Sequence, residues 1–91
     1  MKNTQIEKIE RFCIRKNGEL CVLFWITQRD ALGLGIYRLA SRIADMKEMG
    51  YQIATEYIRV QNADGTYSRI ARYMIIKTPD EVLHDVKNVS V

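Results

Sequence analysis

Between Leu32 and Ile53 the apolar positions recur at helical spacing. On a helix turning about 100° per residue, Ile36, Leu39, Ala40, Ile43 and Met46 fall on one stripe. Tyr37, Arg38, Ser41, Arg42, Asp45 and Glu48 fall opposite. This predicts an amphipathic helix that begins near Ile36, stops at Gly50 and carries Lys47 near the negative end of its dipole. Upstream, Ile6, Ile9 and Cys13 follow a Thr4-x-x-Glu7 capping box, which predicts a first helix over Gln5 to Arg15, ended by Asn17-Gly18. Leu20 to Ile26 (LCVLFWI) is a short run rich in β-branched and aromatic residues, read as a buried strand. Thr27 and Asp30 mark another helix start, and Gly33 and Gly35 limit that helix to Gln28 through about Leu34.

Two strand-like stretches, Ile53 to Val60 and Tyr67 to Ile76, flank Asn62 and Asp64-Gly65, the signature of a hairpin loop. Their alternation is imperfect, because Glu56 and Arg72 share a parity with Ile58, Val60, Ile70 and Met74. A ribbon projecting beyond the core tolerates this. Thr78-Pro79-Asp80-Glu81 opens a short final helix, with Val82, Leu83 and Val86 as its apolar stripe. The expected division is a domain over residues 1–78 and a C-terminal helix and tail over 79–91. Two helices joined by a glycine-bearing turn form a helix-turn-helix unit. The whole order of helix, strand, helix, turn, helix and hairpin is an α+β fold of the winged helix-turn-helix type: three helices, a short strand and a two-stranded wing.

The residues also carry a family resemblance. The segment IT...AL.LGIYRLASRIADMKEMGYQI, followed by Y.RV.N..G...R.ARY, spans Ile26 to Tyr73 and resembles the small winged helix-turn-helix proteins commonly encoded by bacteriophages and prophages. RLASRIADMKEMGY is its most specific part. Residues 1 to 25 and the tail after Lys77 depart from the minimal family pattern, so a special function would reside there.

Composition sharpens the picture in two places. At 91 residues the chain holds one modest core. Its net charge of +3 is unevenly placed: residues 1–78 carry 13 Lys/Arg against 8 Asp/Glu, whereas 79–91 carry Lys87 against Asp80, Glu81 and Asp85. The basic character belongs to the body, and the tail opposes it. Cys13 and Cys21 have no CxxC spacing and are expected as reduced core thiols. The N-terminus lacks an apolar signal core, and seven residues from Leu20 to Ile26 are too few for a membrane span of about 20. No membrane partner is expected, and the location is read as the cytoplasm of a bacterial host.

In a helix-turn-helix unit the second helix enters the major groove and its early residues contact base edges. That assigns Tyr37, Arg38, Ser41 and Arg42 to base and phosphate contacts, with Gln28 and Arg29 at the start of the preceding helix reaching a phosphate. The competing role of Arg42 is a pair with Asp45 three residues on. In the wing, Arg69, Arg59 and Arg72 are candidates for the phosphate backbone or the minor groove; cross-strand pairing with Glu56 is the competing role. Asp45 and Glu48 repel phosphates and confine docking to the first two turns.

Enzyme chemistry finds little support. Asp80, Glu81, His84 and Asp85 read as dipole and solvent groups rather than a metal or acid–base site. The GLG of residues 33–35 is a turn and not a phosphate loop. No cofactor is expected. The reading is of double-stranded DNA binding by a phage or prophage regulator or DNA-transaction accessory, with a homodimer on a two-fold site, joined through the final helix, as a plausible assembly. The alternative is the same fold gripping a host or phage protein, for which the acids of the recognition helix and tail leave room. RNA binding has less behind it, since no stacking signature on a sheet is evident in the sequence.

Overall fold

The computed structural model describes residues Thr4 to Asp80. In chain order these form α1 (Thr4–Cys13), β1 (Ile14–Asn17), β2 (Leu20–Leu23), β3 (Ile26–Thr27), α2 (Gln28–Gly33), α3 (Leu39–Glu48), β4 (Gln52–Gln61) and β5 (Tyr67–Lys77). The fold class is α+β. One antiparallel sheet is the two-stranded hairpin β1–β2, and the other is ordered β3-β5-β4, also antiparallel. Pro79 and Asp80 have helical backbone; the rest of the expected final helix, with His84, lies outside the described residues. No helix among the described residues is long and apolar enough to cross a membrane.

The core is a single cluster built from the three helices, β3, β5 and the turn before α3. Ile6, Ile9 and Cys13 come from α1, Ile26 from β3 and Ala31 from α2. Ile36 comes from the turn, Leu39, Ile43 and Met46 from α3, and Ile75 from β5. The i, i+3, i+7 spacing of Ile6, Ile9 and Cys13 turns one face of α1 inward, and the stripe of α3 does the same for its own helix. Burial pushes the Cys13 thiol up to about 12.

Six sequence expectations are corrected. The first helix ends at Cys13, two residues early, because Ile14 to Asn17 leave it to pair as a strand with residues 20–23. Asn17-Gly18 is therefore a hairpin turn rather than a helix stop, and Gly18 takes φ 64 at the first central position, where a tight hairpin accepts glycine. The run from Leu20 to Ile26 is not one buried strand. All of β2 is exposed, Leu20 at 71%, and only Ile26, in β3, is buried. Cys21 is accordingly an exposed thiol and not a core one.

The remaining two concern the recognition segment. Its helix starts at Leu39 and not near Ile36; Ile36 is buried, but from the turn. Ala40, placed on the apolar stripe by the longer wheel, is exposed. The stop is as expected: Met49 caps α3, and Gly50, at φ 104, lets the chain reverse into β4.

The hairpin β1–β2 is tied to the body at its base. Phe24 N–H donates to Cys13 C=O at 2.8 Å, and the Arg15 guanidinium lies 4.1 Å from the centre of the Phe24 ring and 5.1 Å from that of Phe12. In the other sheet, β4 and β5 pair from Gln52↔Lys77 to Gln61↔Tyr67, with a register shift between Gln52 and Ile53. The loop between them closes through Asn62 N–H to Thr66 C=O at 2.7 Å, and Gly65 takes φ 86. Asp64 accepts from both the backbone N–H and the hydroxyl of Thr66, which holds its carboxyl below the usual range.

Candidate nucleic-acid interface

Thr27 initiates α2 in the way its sequence requires. The Thr27 hydroxyl accepts from Asp30 N–H at 3.3 Å, and the Asp30 carboxylate accepts from Thr27 N–H at 3.0 Å, so two free donors of the helix start are satisfied reciprocally. The chain then turns at Leu34 and Gly35, the latter at φ 79, and Ile36 N–H donates back to Ala31 C=O at 2.8 Å. This sets α3 at a fixed station after α2.

Gln28 completes the turn. Its amide nitrogen donates to Ile36 C=O at 2.9 Å, and its amide oxygen accepts from Leu39 N–H at 2.9 Å, the first N–H of α3. Arg38, the N-cap residue, makes no side-chain cap, so Gln28 supplies from eleven residues upstream the acceptor that a local cap would give. The sequence offers Gln28 as a phosphate contact; in the fold its amide oxygen and one of its two N–H groups hold the turn, while the residue stays exposed. Gln28→Ala is expected to cost about 1–2 kcal/mol, the range for losing a helix cap and a further bond. Chemical denaturation measures it, and a Gln28→Ala protein as stable as wild type would show that the clamp contributes nothing.

The groups assigned to base contact sit at the opening of α3. Tyr37 is 77% exposed in the turn, Arg38 is exposed at the N-cap with φ −126 and ψ 70, and Ser41 is exposed in the first turn. Arg42 differs. Its Nη2 lies 3.1 Å from Asp45 Oδ2, the competing pair foreseen from the i, i+3 spacing. Arg29 is exposed on α2.

The wing sorts its arginines in the same manner. Glu56 and Arg72, whose parity broke the alternation, stand directly opposite each other in the register and pair at 2.9 Å, while the Arg72 guanidinium also lies 4.5 Å from the Trp25 ring centre. The Nε atoms of Arg42 and Arg72 are both buried without a hydrogen-bond partner, so these guanidiniums are held down on the protein. Arg59 and Arg69 face each other across the strands, exposed and without an ion pair among the described residues. Each lies over a tyrosine of the other strand: Arg59 over Tyr67 at 4.3 Å and Arg69 over Tyr57 at 4.5 Å.

Between the helix pair and the wing runs a groove of about 630 Å³. Gln28, Arg29 and Ala40 line one side, and Val60, Asn62 and Ala71 the other. It is open and carries one charged side chain, Arg29.

A family model for the winged helix-turn-helix domain matches residues 22–78, well over half of the chain. The chain belongs to the winged helix-turn-helix family. Comparison with curated proteins and with solved structures gives no match. The winged helix-turn-helix match takes in β3, both helices of the unit and the whole wing, and it leaves out α1 and β1. The winged helix-turn-helix domain is a DNA-binding fold. Of the residues assigned to DNA from sequence, Tyr37, Arg38, Ser41, Arg29, Arg59 and Arg69 are presented to solvent, Arg42 and Arg72 are ion-paired, and Gln28 is exposed and bonded to the turn before α3. The pairing of Tyr57 and Tyr67 with the wing arginines was missed, because it depends on strand register, which the sequence does not state.

Proposed function

We propose that this protein binds double-stranded DNA sequence-specifically, as a regulator or accessory of DNA transactions in a phage or prophage, within the bacterial cytoplasm. The observation that carries the reading is the division among its arginines. Arg29, Arg38, Arg59 and Arg69 make no ion pair among the described residues, while Arg42 and Arg72 do. Unneutralised guanidiniums on the start of both helices and on the wing match the places where a winged helix meets phosphates and base edges. In this reading Arg38, with Tyr37 and Ser41, reads the major groove. Arg29, Arg59 and Arg69 neutralise phosphates. Arg42 and Arg72 join only by exchanging Asp45 and Glu56 for the DNA, a modest cost for partly exposed pairs, about 0–1 kcal/mol each.

One winged helix reads few base pairs, so a dimer on a two-fold site belongs to the proposal, with residues 79–91 as a C-terminal appendage available for the contact. The experiment is titration of the protein against duplex fragments at low salt. Arg38→Ala is expected to weaken a specific site by about 1–3 kcal/mol, the worth of a good base contact. Unchanged binding by the Arg38→Ala, Arg42→Ala double variant would take α3 out of the interface, and a stoichiometric protein partner with no duplex bound at any salt would replace DNA by protein as the ligand.

A further inference from the structure

The wing face that carries Arg59 and Arg69 has a second capability. In the β4–β5 register Arg59 stands opposite Arg69, Tyr57 opposite Ala71 and Tyr67 opposite Gln61. Residues directly opposed in an antiparallel pair share a face, and so do residues two apart on one strand. Tyr57, Arg59, Tyr67 and Arg69 therefore form one surface, with the two guanidiniums at its centre and a tyrosine on either side. Both tyrosines are more than half exposed, Tyr57 at 58% and Tyr67 at 56%, and the four side chains border a shallow hollow of about 290 Å³.

Two features of this surface are unusual for a solvated hairpin. Like charges placed directly opposite each other destabilise a strand pair, yet neither arginine has an acid to offset it among the described residues. Each guanidinium instead holds one tyrosine ring in place at 4.3–4.5 Å, which fixes large aromatic surfaces in the open. Fixed aromatic rings interleaved with cations are the chemistry by which proteins hold single-stranded nucleic acid: bases stack on the rings and phosphates meet the charges, with little regard to sequence. We propose that this face of the wing is a stacking platform for unpaired nucleobases. Tyr57 and Tyr67 lie four residues apart along the strand direction, roughly 13–14 Å at the rise of a β-strand. The two rings thus engage different bases, and the arginine pair meets the phosphate backbone between them. The inference goes beyond duplex recognition and does not rest on it, since it needs no base pair and no residue of α3.

The test compares a labelled oligothymidylate of about ten nucleotides with an abasic strand of equal length, using the whole chain at low salt and fluorescence anisotropy. The two strands share their phosphates and differ in bases. The wild-type protein is expected to prefer the thymidylate by about tenfold or more, the scale of stacking measured by alanine substitution. Tyr57→Ala with Tyr67→Ala removes the preference, Tyr57→Phe with Tyr67→Phe keeps it, and Arg38→Ala leaves it unchanged even where duplex binding falls. A parallel oligouridylate arm tells whether the bases come from a DNA or an RNA strand. Equal affinity of the wild type for the base-bearing and abasic strands, absence of single-strand binding, or a preference that survives the double alanine variant overturns the proposal. Both tyrosines are exposed and the phenylalanine pair retains the ring packing, so the comparison does not hinge on one variant folding.

Discussion

Met46→Ala is expected to lower the stability of the chain by about 2–5 kcal/mol, the range for emptying a large aliphatic site in a packed core. Met46 is fully buried and lies with Leu39 and Ile43 on the inward stripe of α3, against Ile9, Ile26 and Ile75. A domain of this length has a total stability of roughly 5–13 kcal/mol, so the single change removes a large part of it. Urea denaturation followed by circular dichroism measures the loss as a fall in midpoint at unchanged slope. Ala40→Ser is the control. It falls on the same helix stripe when α3 is drawn from Ile36, but Ala40 is exposed, and the change is expected to stay within about 0.5 kcal/mol. A large loss for Ala40→Ser together with a small one for Met46→Ala would mean that α3 is turned the other way.

Duplex affinity is expected to fall about 40-fold between 50 and 200 mM monovalent salt. The figure follows from three guanidiniums, Arg29, Arg59 and Arg69, each releasing the counterions of one phosphate, with a log–log slope of about −2.7. This corresponds to about 2 kcal/mol. Arg59→Ala with Arg69→Ala should reduce the slope by about two, whereas Arg72→Ala, whose charge is already spent on Glu56, should change it little. A wild-type slope shallower than about −1 would leave no phosphate-driven binding to explain.

Much of this architecture was legible in the sequence, and the failures share a cause. Thr27 with Asp30, Gly35 before α3, Gly50 and the Asn62 to Gly65 loop are local signals, each acting through a cap or a backbone angle within a few residues, and each is found in its expected role. The hairpin β1–β2 is not local in that sense. Asn17-Gly18 serves a helix stop and a tight turn equally well, and only the pairing of Ile14 with Leu23 decides between them. An apolar run such as LCVLF is read as interior because burial is its commonest reason, yet here it stands outside the core. Ile36 misled the start of α3 for a related reason: a loop residue can fill the core as well as a helical one and so imitates helical spacing.

The candidate interface was legible to the same degree. Exposure of Ser41 follows from its place opposite the apolar stripe of α3, whereas Tyr37 and Arg38 are exposed from the turn and the N-cap. The competition for Arg42 and Arg72 was visible as spacing and parity, but its outcome depends on side-chain geometry. The bond from Leu39 to Gln28 was not legible, because it crosses a turn whose conformation only the folded chain displays.

The contrast between the two cysteines has a practical side. Cys13 is enclosed and its thiol is held protonated up to about 12, while Cys21 stands exposed on β2, a strand that lies apart from α3 and the wing in sequence and in sheet. A maleimide dye at neutral pH therefore has one thiol to find, and the natural chain can be tagged at a single defined point without touching the arginines or tyrosines whose binding that dye would report.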